Sequence, residues 1–242
     1  MSDFTRANQF PNTRWTMVAR STEADDTTRQ KALSELCELY WPPIYAFIRS
    51  KGNSPHDAED LAQGFFASVL ARQDIGKTDA SKGKLRSFFL ASVKNYMANE
   101  HRKNTRQKRG SGQAVLSLNL DEAETRFHVP EPRDDNSPDK VYQQQWVMTL
   151  LSHVLENLGT RYEKDGKGEL FKALKPALTP GAPMAPYSEL APTLGLSESA
   201  LKVAVHRLKQ RYGTLLRETI ADTLGPDEDP EEELGQLMTV FE

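Results

Sequence analysis

Ser54-Pro55-His56-Asp57-Ala58-Glu59-Asp60-Leu61-Ala62-Gln63-Gly64-Phe65-Phe66 reads as the opening of an amphipathic helix. Ser54 suits the N-cap, because its hydroxyl accepts from an unpaired N–H of the first turn. Pro55 suits the first helical position, where a missing N–H costs nothing. Asp57, three residues after the cap, stands where a capping-box acid would stand. Leu61, Ala62, Phe65, Phe66 and Val69 then form a broad apolar stripe running to about Arg72. Asp57 and Asp60 are one turn apart, so with Glu59 nearby they give the helix an acidic polar face.

The same helical period recurs on either side. Residues 28–51 carry Ala32, Leu33, Leu36, Leu39 and Tyr40 before Trp41-Pro42-Pro43, and Ile44, Tyr45, Phe47 and Ile48 after it. Proline donates no N–H, so the expectation here is a helix pair around a break. Residues 84–103 form a further helix. After Pro138, helical spacing returns in Val141, Trp146, Val147, Leu150, Leu151, Val154 and Leu155, then in Leu170, Phe171, Leu174 and Leu178. A short helix over 186–194, a long one over 197–222 and a small amphipathic one over 228–241 complete the chain. No stretch alternates with the period of a strand, so the fold class is all-α: two small helical domains joined by a flexible linker.

The expected organisation is an N-terminal segment 1–24, a helical domain 25–109, a linker 110–138 rich in Gly, Pro and acids, a second helical domain 139–224 and an acidic extension 225–242. The single cysteine, Cys37, excludes an intramolecular disulfide and makes a cysteine metal site unexpected. No apolar run is long enough to span a membrane and residues 1–20 lack a signal-peptide core, which points to the cytoplasm without membrane insertion.

The net charge of −3 is a cancellation. Residues 82–109 hold nine Lys and Arg against one acid, residues 197–217 five against one, and residues 218–242 none against nine. Two distant basic blocks suggest a polyanionic partner. The acidic extension is expected either to fold back on one of those blocks, lowering DNA affinity of the free protein, or to serve as a solubilising tail with a small packing helix.

The second basic block lies in a helix-turn-helix pattern over residues 186–212. Ala191 is small where two helices cross closely, Gly195 tolerates the left-handed turn, and Ser197 caps the second helix. Leu201, Val205, Leu208 and Tyr212 fall on one face and are expected to be buried. Ser199, Lys202, His206 and Lys209 form the opposite stripe, with Val203, Arg207 and Gln210 beside it, suited to a major groove. Pro192 removes a hydrogen bond inside the first helix, which is therefore expected to be kinked or short. In the first basic block, Phe88, Phe89 and Tyr96 interleave with Lys84, Arg86, Lys94 and Asn95. Aromatic faces stack on unpaired bases while cations follow phosphates, although at least one of Phe88 and Phe89 is expected in the core.

Three ordered motifs carry a family resemblance. Asp57 to Phe66 resembles the region 2.2 helix of extracytoplasmic-function sigma factors, in the sigma-70 family. Lys84-Leu85-Arg86-Ser87-Phe88-Phe89, with Lys94-Asn95, is similar to their regions 2.3 and 2.4, and residues 186–212 to region 4.2. Thr13-Arg14-Trp15, Tyr40-Trp41-Pro42-Pro43 and Ala204-Val205-His206-Arg207-Leu208 add to the likeness. The resemblance implies that Asp57, Glu59, Asp60, Gln63 and Phe66 dock on the clamp helices of the largest subunit of core RNA polymerase, with the flap of the second-largest subunit as a further contact. It implies that Lys84, Arg86, Ser87, Phe88, Phe89, Lys94, Asn95, Asn99, Arg102 and Lys103 engage and melt the −10 element of promoter DNA. It implies that Ser199, Lys202, Val203, His206, Arg207, Lys209 and Gln210 read the −35 element. An anti-sigma factor is a further partner it suggests. Phe88 stands where tryptophan is common, Asn99 where an acid is usual, and Ala204 where arginine is frequent.

Two other function classes fit the sequence less well. A stand-alone helix-turn-helix regulator leaves the acidic helix at 57–63 and the aromatic-basic helix unexplained. A nuclease holding Mg²⁺ on Asp57, Glu59 and Asp60 has little support, and His56, His101, His128, His153 and His206 are scattered without metal-ligand spacing or a nucleophile. The expectation is a protein with no catalytic residue, metal or cofactor.

Overall fold

The computed structural model describes residues 26–71, 84–106, 137–179, 181–225 and 227–241, with side chains described from Leu36 onward. The expected segment 1–24, residues 107–109 of the first basic block and nearly all of the expected linker lie outside the described residues. Among the described residues there are eight α-helices and no strand: α1 (Asp26–Ser50), α2 (Pro55–Ala71), α3 (Leu85–Arg106), α4 (Pro138–Lys164), α5 (Gly168–Leu174), α6 (Tyr187–Leu194), α7 (Glu198–Ala221) and α8 (Pro230–Met238). Short 3-10 turns follow α5 and α8, over Lys175–Leu178 and Thr239–Phe241.

Two compact units divide the chain. One comprises the described residues up to Thr149 together with those from Ile220 onward, and the other is Leu150–Thr219. The cuts fall inside α4 and α7.

In the first unit, the expected break at Pro42-Pro43 does not occur: α1 runs unbroken through both prolines. Each interior proline forfeits a hydrogen bond and costs roughly 3 kcal/mol. Every residue from Leu39 to Ile48 is buried, including Ile44, Phe47 and Ile48 at 0–1% exposure, and that burial offsets the loss. The helix closes at Lys51 and Gly52, whose N–H groups return to the Ile48 and Arg49 carbonyls, with Gly52 at positive φ. Ser54 then caps α2 as expected. The Asp57 N–H donates to Ser54 Oγ at 3.2 Å, and the Ser54 hydroxyl donates to Asp57 Oδ2 at 2.6 Å.

Aromatic contacts bind α1, α2 and α3. Tyr40 stacks on Phe89 with ring centroids 4.2 Å apart, Trp41 stacks on Phe66, and Phe65 meets Phe89 and Tyr96 edge-on. Gly64 permits this crossing, because a Cβ there would collide with the Tyr96 hydroxyl. The start of α4 joins the same core through Tyr142, edge-on to Phe47, and the fully buried Trp146. From the C-terminal side Leu224 and Leu237 are buried. Met238 and Phe241, in the same segment, are exposed. Glu233 takes an inward position there, one turn before Leu237.

The second unit closes around Val154, Leu158, Tyr162, Phe171, Leu174, Ala191, Leu201, Val205, Leu208 and Leu215. Within it α6 ends after eight residues containing Pro192, and Gly195 adopts the left-handed conformation at φ 63°. Ser197 Oγ accepts from the Ala200 N–H at 3.2 Å, capping α7.

Candidate nucleic-acid interface

Helix α3 begins on a contact with the C-terminal segment. The Leu85 N–H, unpaired in any isolated helix, donates to the Thr223 carbonyl at 3.1 Å. Leu85, Phe89 and Val93 are then buried at helical spacing. Ser87, Lys94, Asn95, Asn99, Arg102 and Lys103 are all exposed. Asn95, Asn99 and Arg102 follow one another turn by turn as a polar stripe.

Beside this stripe lies an open depression of about 640 Å³. Phe65, Phe88 and Tyr96 supply its aromatic lining, and Asn95, Asn99, Arg102 and Lys103 its polar rim. Burial pushes the Tyr96 hydroxyl pKa upward, with the Glu100 carboxylate adding to the shift, so the ring stays neutral. Phe89, expected to face DNA, is a correction: at 1% exposure it belongs to the core, and only Phe88 of the pair borders the depression.

The cations expected to contact the −10 element are not equally available. Lys94 Nζ donates to Asp139 Oδ2 at 2.6 Å in a half-exposed pair, and Lys103 Nζ to Glu100 Oε1 at 2.6 Å. Lys84 and Arg86 are drawn further in. Arg86 Nε donates to Glu233 Oε1 at 2.7 Å and Nη2 to Oε2 at 3.2 Å. Lys84 Nζ donates to Glu233 Oε2 and, at 2.6 Å, to Gln236 Oε1. The Tyr142 hydroxyl donates to the Arg86 carbonyl at 2.9 Å, and the Arg86 guanidinium lies 5.7 Å from the Trp146 ring. Burial by itself would raise the Glu233 pKa. Hydrogen bonds and charge from Arg86 and Lys84 outweigh it and hold the carboxyl below its ordinary value.

On α2, Asp57 and Asp60 are exposed and Glu59 is partly so. His56 Nε2 approaches Asp60 Oδ2 at 3.9 Å. Gln63 and Phe66, expected on the same docking surface, are buried at 9% and 6% exposure. They lie on the inward stripe, where Phe66 packs on Trp41 and Phe89. The acidic face therefore consists of Asp57, Glu59 and Asp60.

In the second unit, Ser199, Lys202, Val203, His206, Arg207, Lys209 and Gln210 are all exposed along α7. Leu201, Val205 and Leu208 are buried opposite them, while Tyr212 is only half-buried.

Glu233 and its supporting contacts were not foreseen as part of any site. The signal was nonetheless present in the sequence. Asp229 caps α8 by accepting from the Glu231 N–H at 3.0 Å, and Pro230 occupies the first position. That start sets Glu233 and Leu237 on one face, which singles out Glu233 from its acidic neighbours Glu231 and Glu232.

Residues 36–107 match the family model for Sigma-70 region 2. This segment of the chain is therefore similar to Sigma-70 region 2. The region 2 match takes in most of α1, all of α2 and all of α3, and so contains both the acidic face and the depression. Helix α8 lies outside it. No curated protein and no solved structure matches the chain. Among the described residues, no helix is long and apolar enough to cross a membrane, and no cluster of three or more His, Cys, Asp or Glu side chains is placed to hold a metal ion.

Proposed function

We propose that the chain is an extracytoplasmic-function sigma factor, acting in the cytoplasm, that binds core RNA polymerase and directs it to promoters with −10 and −35 elements. The observation that carries this reading is the placement, inside the region 2 match, of the depression bordered by Phe88, Asn95 and Asn99. Capturing a base from the duplex costs a few kcal/mol of lost stacking. An aromatic ring beside a cavity of base-admitting size supplies replacement stacking of about 1–3 kcal/mol, and the two asparagine amides offer donors and acceptors to the base edge.

In this reading Asp57, Glu59 and Asp60 meet the clamp helices of the largest polymerase subunit, acid against base. Ser87, Lys94, Arg102 and Lys103 follow the −10 backbone. In the helix-turn-helix, Lys202, His206 and Arg207 read the −35 element, and Ser199, Lys209 and Gln210 steady its backbone. The flap of the second-largest subunit holds this unit, and an anti-sigma factor is a further partner. The protein carries out no catalysis of its own and uses no cofactor. Run-off transcription with purified core polymerase tests the reading. A promoter-dependent transcript that requires this protein is the expected result, and its absence with the cognate core would overturn it.

A further inference from the structure

Glu233 has no role in the reading above, yet among the described residues it is the one carboxylate that is almost completely buried, at 2% exposure. It closes over two cations at the start of α3, leaving the Arg86 side chain 12% and the Lys84 side chain, just before the helix, 20% exposed. To a guanidinium, a carboxylate and a phosphodiester offer the same recognition element: two oxygens sharing one negative charge, accepted side by side. Glu233 therefore sits where a nucleic-acid phosphate would sit.

Two further contacts lie beside this pair. Leu237 is buried beneath it, and Gln144 Nε2 donates to the Val240 carbonyl at 3.1 Å. The aromatic core of α1, α2 and α3 is built from other residues, so α8 can leave without dismantling it.

We propose that Lys84 and Arg86 form a phosphate-binding site for single-stranded nucleic acid, and that α8 closes this site in the free chain with Glu233 as a displaceable internal substitute for the phosphate. The proposal rests on α3 being the nucleic-acid face. Opening exchanges one anion for another, so strand binding competes with an intramolecular contact and the free chain binds weakly.

The test compares the full chain with Glu233→Gln and, as a control for simple loss of negative charge, Glu232→Gln. The probe is a fluorescently labelled 12-nucleotide DNA strand, followed by anisotropy across a salt series. Glu233→Gln is expected to bind about 10-fold tighter than the parent. Its log–log salt slope should stay close to the parent's, because the strand brings the same phosphates to Lys84 and Arg86 in both once Glu233 is displaced. Glu232→Gln should leave affinity and slope close to the parent's. Equal gains in the two variants, or no binding by Glu233→Gln at low salt, would overturn the proposal. Because Glu233→Gln also weakens the fold, hydrogen exchange on the unmodified chain gives a second readout. Amides of α8 should lose protection when the strand binds, and full protection at saturating strand would overturn the proposal. Run-off transcription judges the sigma-factor reading separately, so a tighter-binding variant that yields no transcript would count against that reading alone.

Discussion

Arg86 and Glu233 form a two-point pair: Nε and Nη2 of one guanidinium each donate to a different oxygen of one carboxylate, at 2.7 and 3.2 Å. The two residues are 147 positions apart in the chain. Their pairing fastens the C-terminal segment to the start of α3, where Thr223 also accepts the Leu85 N–H.

Removing the carboxylate leaves two neighbouring cations buried without an anion. Breaking such a pair from one side costs about 3–5 kcal/mol. Glu233→Ala should therefore lower the unfolding free energy of the first unit, measured in urea, by a corresponding amount. Glu232→Ala, on the exposed side of α8, should shift it by less than about 0.5 kcal/mol.

The same pair sets a pH dependence. The Glu233 carboxyl is held below its ordinary value of 4.5 in the folded chain. Its stabilising contribution is thus complete above the ordinary carboxylate range and is lost as pH falls through the lowered folded pKa. Unfolding curves of the parent and of Glu233→Gln should differ at pH 7 and converge as the pH drops well below 4.5. A gap that stayed constant into acid would contradict this assignment.

Phe88 and Phe89 are adjacent but should respond oppositely to truncation. Phe89→Ala opens a cavity in the core and should cost about 3–5 kcal/mol of stability. Phe88→Ala should preserve most of the fold. Its defect should appear in promoter opening, read by permanganate reactivity of unpaired thymines in the polymerase complex.

The two proposed contact surfaces should separate genetically. Asp60→Arg sets a cation against the basic clamp surface and should abolish pull-down of core polymerase while leaving −35 duplex binding by the free chain intact. Lys202→Ala with Arg207→Ala should do the reverse. Failure of both variants in the same assay would disprove this division of labour.

Cys37 should be a poor nucleophile. Burial, with help from the Glu38 carboxylate, pushes its thiol pKa up to about 11. The reactive thiolate is then scarce at pH 8. Reaction with a disulfide reagent should be slow in the native protein and rapid in urea.

Local chemistry was the part of the fold most legible in the sequence. The Ser54 cap, the turn at Gly195 and the Ser197 cap each depend on residues within a few positions of one another, and each stands as expected. The break expected at Pro42-Pro43 is absent because proline's cost is local while the burial that outweighs it is tertiary. Gln63 and Phe66 were assigned to a surface by likeness of motif, although the helical period already placed Phe66 on the inward stripe. The Glu233 site combined both difficulties. Opposing charge blocks announced that acids and cations would meet, but choosing one carboxylate among several required knowing where α8 starts and what it packs on.

The separation of Lys84 and Glu233 has a consequence for synthesis. The carboxylate emerges 149 residues after the lysine. At roughly 5–20 residues per second, α3 is made roughly 7–30 seconds before its anion exists. During each round of translation, the nascent chain therefore presents these cations uncovered, in a cell rich in polyanions.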